Sequence, residues 1–224
     1  MFEKQGQHYL LLIVLLVGVY FLATGDVLSG QLWGISTQTW LWIAVATPVL
    51  HQIFVVFAWR GELYHHKMTE WFGDKAFPIY KVIFTILFVG RPVTLILLGI
   101  SNANTLNLNP AISYSIAIIL FIPFAYTMSS VVHYFGMDRA YGIDHFKPSI
   151  YKNETFVKQG MFKYTNNAMY KFGFLGLWVI GFAFLSKAVL LAAAFNQLYI
   201  WVHFYFTELP DIRHIYGGQS KESV

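Results

Sequence analysis

The stretch "YKVIFTILFVGRPVTLILLGI", residues 80–100, decides the fold. It is apolar for roughly the 20 residues that a helix needs to cross a ~30 Å bilayer core. Apart from Lys81 at its edge, its one charge is Arg91, which sits beside Pro92 near the middle. A charge at that depth costs roughly 2.5–3.5 kcal/mol on insertion scales and points to function by default. No acidic residue occurs within the other spans to pair with it.

Similar stretches lie on both sides. "HYLLLIVLLVGVYFLATG" predicts a span over 8–25, and residues 39–59 predict another, interrupted by Pro48 and the polar pair His51 and Gln52. Residues 111–135 give a fourth. The last apolar block, 172–206, is broken by "SKA" at 186–188 and is too long for one helix, so it reads as a helical hairpin. The first span follows a weakly charged start without a small-residue cleavage site, so it reads as a retained span and not a signal peptide. The fold expected is an all-α, polytopic membrane bundle of five to six spans with a carboxy-terminal hairpin. Residues 1–224 are read as one membrane domain, without internal repeat or linker.

Composition agrees. Of the 224 residues, 57% are apolar and 12% charged, whereas about a quarter are charged in soluble domains. Too few charges remain to cover a soluble surface. With no cysteine, disulfides, thiolate metal sites and cysteine nucleophiles are excluded. A net charge of +4 without a basic run argues against nucleic acid as a partner. If the amino terminus is inside, the inside segments hold every one of the 15 Lys and Arg residues except Lys187 and Arg91. The positive-inside rule therefore places both termini in the cytoplasm, of a bacterial inner membrane or the endoplasmic reticulum. Polar chemistry gathers on that side, in 60–79, 136–171 and 207–224.

Several residues there could carry chemistry. "KYTNNAMYKFGFLG", 163–176, packs Tyr164, Asn166, Asn167 and Tyr170 against the start of an apolar run. Two amides can donate and accept together, or simply cap the next helix. Tyr170, Gly173 and Gly176 share one helix face, where bare glycine admits a ligand or a neighbouring helix. The tyrosines also suit an interfacial aromatic belt. His203 and Glu208 lie in and just past the last helix, the alternatives being a core histidine and a solvated terminus. "HYFGMDRAYGIDHF", 133–146, brings His133, Arg139 and His145 into a loop that suits binding or plain solvation. Arg91 suits an anion, or carbonyls freed by Pro92, or contact with His51. Adjacent His65 and His66 do not converge on one ion, so no metal is assigned. Neither a dinucleotide fingerprint nor a phosphate-loop lysine is present.

The order of motifs in the last third resembles the membrane methyltransferases that include phospholipid and isoprenylcysteine carboxyl methyltransferases. Their carboxy-terminal pattern runs G-x-Y-x-Y-x-R-H-P-x-Y-x-G, a hairpin, then E-E-x-x-L-x-x-x-F-G. Gly160, Phe162 and Tyr164 fall on the opening positions, Tyr170 on the following tyrosine, and Glu208, Ile212, Tyr216 and Gly217 on the closing ones. Asn166, Asn167 and Ala168 stand where the family has Arg-His-Pro, and Leu209 replaces the second glutamate. The resemblance implies S-adenosylmethionine as cofactor, bound by Tyr164, Asn166, Asn167, Tyr170, Gly173 and Glu208, with 136–171 and 207–224 as the cytoplasmic cofactor segments. It implies a membrane lipid as acceptor, foremost the amine of phosphatidylethanolamine or its methylated forms. Arg91, His133, Arg139 and His145 are then candidates for the substrate, and Glu208 and His203 for proton removal. Rival readings are an isoprenylcysteine carboxylate or a small thiol as acceptor, a transporter with helices broken at Pro48 and Pro92, or a non-catalytic binding member.

Overall fold

A computed structural model describes residues 2–217. The fold is all-α, and five stretches are long and apolar enough to cross a membrane. Helix α1 spans Gln5–Leu22, α2 Thr37–His65, and α4 Ala76–Ser101, which follows the short α3, Lys67–Phe72. Helix α5 spans Pro110–Ser130 and runs into a π-helical turn, Val131–Phe135. Short helices α6 (Met137–Ala140), α7 (Ile143–Phe146) and α8 (Pro148–Tyr151) follow. The expected hairpin is present. Its first arm is a π turn, Met169–Gly173, leading into α9, Leu175–Ala183. Its second arm is α10, Lys187–His203, a third π turn, Phe204–Glu208, and α11, Leu209–Tyr216.

Helix starts follow local chemistry. Ser36 accepts from the Thr39 amide, Asn109 from Ala111 ahead of Pro110, and Ser186 from Val189, each satisfying an otherwise orphaned donor. Helices α2 and α4 run unbroken through Pro48 and Pro92, where the transporter reading expects breaks. Two elements run longer than their apolar stretches. Helix α2 continues past Trp59 because Arg60 and Glu62 find partners inside the protein: Arg60 pairs with Asp211, and Glu62 accepts from Thr69. The last arm continues past residue 206 because Pro210 falls in the first turn of α11, where a missing N–H does no harm.

Small residues set the packing. Ala44, Ala188 and Ala192 join Leu12, Leu41, Leu95 and Leu98 in a core between α1, α2, α4 and α10, and small side chains let helix backbones approach closely. Gly173 and Gly176 turn toward α5, where an added Cβ would meet Met128 and Phe124. Leu10, Ile13, Ile86, Ile118 and Ile122 point outward, as the lipid-facing surface of a spanning bundle must.

The two ends of the bundle differ. At one, buried Asn102 donates to the carbonyls of Asp26 and Ser29 and accepts from Ser186 and the Ala188 amide, tying the loops to the hairpin tip. The other end holds the cavities.

Candidate active site

Three π turns converge at that end. A π turn inserts one residue into a helix and recurs at functional sites. Phe135, Met169, Tyr170 and Glu208, all from these turns, line the smaller and more polar of two cavities, about 110 Å³, with Asn166, Asn167, Arg139, Asp144, His145 and Tyr216. The Tyr170 hydroxyl donates to the Glu208 carboxylate. Carbonyls freed by the turn at Phe204–Glu208 are taken up from other helices. Gln5 donates to the carbonyl of Phe206 at 2.9 Å, and Arg60 to that of Thr207 at 3.1 Å. The backbone that carries Glu208 is therefore held by α1 and α2.

Beneath it lies a charged cluster. His145 Nδ1 lies 2.9 Å from Asp144, whose other oxygen accepts from Tyr216 at 3.0 Å. The His145 ring stacks on Trp59 at 4.1 Å, and its Nε2 lies 3.7 Å from Asp211, too far for a hydrogen bond. Burial alone pulls the His145 pKa down, but the Asp144 carboxylate, helped by Asp211, outweighs it and raises the pKa to about 9. Burial likewise disfavours an ionised Asp144, yet the His145 charge and the bonds from His145 and Tyr216 hold its pKa below the ordinary value. Gly142 makes room for this stack. Its φ is +82°, and a Cβ there would meet the Trp59 ring at 2.5 Å.

A second cavity, about 570 Å³ and mainly apolar, shares Trp59, Ala140, Met169 and Tyr170 with the first. Phe84, Phe88 and Arg91 of α4 wall one side, and Phe121, Phe124 and Met128 of α5 another. Helix α4 packs on α2 and α9, and α5 packs on α9, without close packing between α4 and α5. His51, Gln52 and His203 also line it.

The sequence-derived candidates therefore divide. Asn166, Asn167, Tyr170, Glu208, Arg139 and His145 come together on the polar cavity. Arg139, assigned with His145 to the lipid, is paired with Glu154 at 3.3 Å. Arg91, His203, Gly173 and again Tyr170 line the apolar cavity. Arg91 takes up none of the carbonyls near Pro92; its guanidinium lies 5.7 Å over the Phe174 ring. Tyr164 is 72% exposed and lines neither cavity. His133 is also exposed, bound to the Ser129 carbonyl of its own helix. Sequence reasoning missed Trp59, which walls both cavities, and the Arg60–Asp211 pair. Trp-Arg at the end of a span reads as an interfacial anchor, and nothing local links it to Asp211.

The bundle and its paired cavities define a multi-pass membrane protein with a polar and an apolar compartment meeting at one end. Residues 112–219 match the family model described as phospholipid methyltransferase, the family to which the sequence motifs point. The match takes in the whole of segment 160–217 and, because it begins at 112, the π turn at Val131–Phe135 as well. No curated protein and no solved structure matches the chain.

Proposed function

We propose that this protein transfers a methyl group from S-adenosylmethionine to the amine of a membrane phospholipid, with phosphatidylethanolamine or its methylated forms as the leading acceptor. The observation that carries the reading is the wall shared by the polar and apolar cavities, with Tyr170 in it and bonded to Glu208. A water-soluble donor and a lipid acceptor need adjoining compartments of just these two polarities.

The donor set of the polar cavity fits the cofactor. Carboxylates and aromatic faces favour a cation, and Glu208, Asp144, Trp59, Phe135 and Phe156 supply both. Arg139 suits the carboxylate of the amino-acid head, and Asn166 and Asn167 the adenine edge. Phe156 of the strap 154–158 lines this cavity, and the strap is tied by Glu154 to Arg139 and by Phe156 against Tyr216. Admitting a molecule of that size displaces the strap. When bound, the cofactor would supply an electrophilic methyl group on a sulfonium, open to in-line attack by an amine lone pair, with the C–N bond forming as the C–S bond breaks and the thioether leaves.

The residues of the chain have three tasks. Glu208 takes the proton that the ammonium must lose before its lone pair is free, as a general base. Tyr170 orients that carboxylate toward the shared wall. The cleft between α4 and α5 gives the lipid lateral access, so that alignment of amine and methyl, the main source of acceleration, is set by where the lipid lodges. In this reading the cavity end of the bundle and both termini face the cytoplasm.

The test is incubation of the purified protein with methyl-labelled S-adenosylmethionine and mixed lipids, with identification of the labelled product. Label in an amine-bearing phospholipid is the expected result. Absence of label from every lipid, together with no cofactor binding by calorimetry, would remove the reading. An inactive Glu208→Gln variant that still binds cofactor favours an amine over a carboxylate acceptor, which needs no base.

A further inference from the structure

We infer that Arg91, His51 and His203 form a deep anion-binding subsite in the apolar cavity, which takes an anionic oxygen group carried on an apolar chain, such as the phosphodiester of a phospholipid. The choice of a phospholipid rests on the lipid-acceptor reading above; the subsite itself does not depend on methyl transfer.

The observation is a concentration of buried polar atoms without partners. Arg91 is 4% exposed, His51 2% and His203 1%. Among the described residues, Nε and Nη2 of Arg91 and both ring nitrogens of each histidine find no hydrogen-bond partner. All three side chains line the same cavity, among Phe84, Phe88 and Phe124. Buried polar groups are almost always partnered, and a cluster of exceptions calls for a missing ligand. The neighbours that these groups do have are rings. Arg91 lies over Phe174 and His51 meets Phe84 at 4.4 Å.

The chemistry of the ligand follows. A guanidinium only donates and cannot shed its charge, so its counterpart is an acceptor bearing negative charge. Among the described residues no carboxylate lies within ion-pair distance of Arg91. The anion is therefore not supplied by any described residue. The aromatic and aliphatic walls require that it arrive on an apolar carrier. Depth fixes the orientation. Arg91 lies 15 positions beyond Ala76 on α4, about 22 Å at ~1.5 Å per residue. An anion at that level is drawn far below the helix end, so the head group leads and the chains trail out between α4 and α5. The geometry also joins this subsite to the shared wall. Phe174, beneath Arg91, has its ring centroid 6.4 Å from that of Tyr170, the partner of Glu208. An anion held by Arg91 leaves the rest of a head group beside the shared wall.

The experiment is equilibrium binding to the full-length protein in detergent, with dihexanoyl phosphatidylethanolamine, uncharged dihexanoylglycerol and decanoate as probes. The wild type is expected to bind the phospholipid at least tenfold more tightly than dihexanoylglycerol. Arg91→Met should abolish that preference while leaving dihexanoylglycerol binding unchanged, and Arg91→Lys should keep part of it. His51→Phe should reduce the preference by a smaller factor, which keeps the subsite testable if Arg91→Met does not fold. Decanoate binding more tightly than the phospholipid, with the same loss in Arg91→Met, also supports the subsite and assigns it to a carboxylate. Equal affinity of the wild type for charged and uncharged probes would overturn the inference, as would a preference that survives in Arg91→Met. So would a preference lost only together with the fold, seen as a large fall in unfolding temperature. Calorimetry with S-adenosylmethionine separates the two readings. Arg91→Met should bind the cofactor like the wild type, whereas failure of the methyl-transfer reading shows as no binding by either.

Discussion

Tyr170 and Glu208, 38 residues apart in sequence, are joined by a hydrogen bond from the tyrosine hydroxyl to the carboxylate. Each belongs to a π turn, one on either arm of the hairpin. The bond ties the two arms together at the polar cavity, and Tyr170 belongs to the wall shared with the apolar one.

If Glu208 is the base, Glu208→Gln lowers the methylation rate by about 10²–10⁴-fold, the usual contribution of a positioned base. Tyr170→Phe leaves the carboxylate and removes only its orientation, so a smaller loss, about tenfold, is expected. Single-turnover rates with saturating cofactor check both. An active Glu208→Gln enzyme would shift the base elsewhere.

Arg60 and Asp211 are both fully buried and lie 3.1 Å apart. Removing one partner of such a pair strands a charge and costs about 3–5 kcal/mol. Asp211→Asn and Arg60→Met should each lower the unfolding temperature in detergent. The double variant Arg60→Met with Asp211→Leu should recover part of the loss. Additive losses would show that the two residues act separately.

The Asp144–His145 pair sets a pH window. Because the His145 pKa is raised from 6.5 to about 9, its contribution to stability is complete below pH 6.5 and is lost as pH rises through about 9. The depressed pKa of Asp144 makes its contribution complete above 3.8 and lost as pH falls through the lower folded value. Unfolding temperature against pH should be highest between these limits, with the alkaline fall flattened in His145→Gln. A His145→Gln profile that falls as steeply as the wild type would assign the alkaline loss to other groups.

Gly142 tests the floor of the polar cavity. Gly142→Ala places a Cβ against the Trp59 ring and in a left-handed backbone conformation, which costs of order 1–3 kcal/mol. Cofactor affinity by calorimetry should fall with stability, since His145 stacks on that ring. Unchanged affinity in a folded variant would separate Trp59 from the cofactor.

The sequence by itself determined the spans, the hairpin and the end of the bundle where polar chemistry gathers. Hydrophobic length and the placement of Lys and Arg are local, additive signals, and a bilayer leaves few alternatives to satisfied helices. The motif residues Asn166, Asn167, Tyr170 and Glu208 were legible because their spacing is conveyed along the chain. Only the tertiary structure divided the candidates between two cavities, left Tyr164 and His133 on the surface, and brought Trp59 and Asp211 to the site. It also decided what Arg91 faces. From sequence, Arg91 could have bonded carbonyls beside Pro92. In the fold its Nε and Nη2 find no hydrogen-bond partner among the described residues, in an apolar cavity with His51 and His203. The reason is physical: helix rotation and crossing fix which side chains face one another, and they depend on packing between segments far apart in the chain.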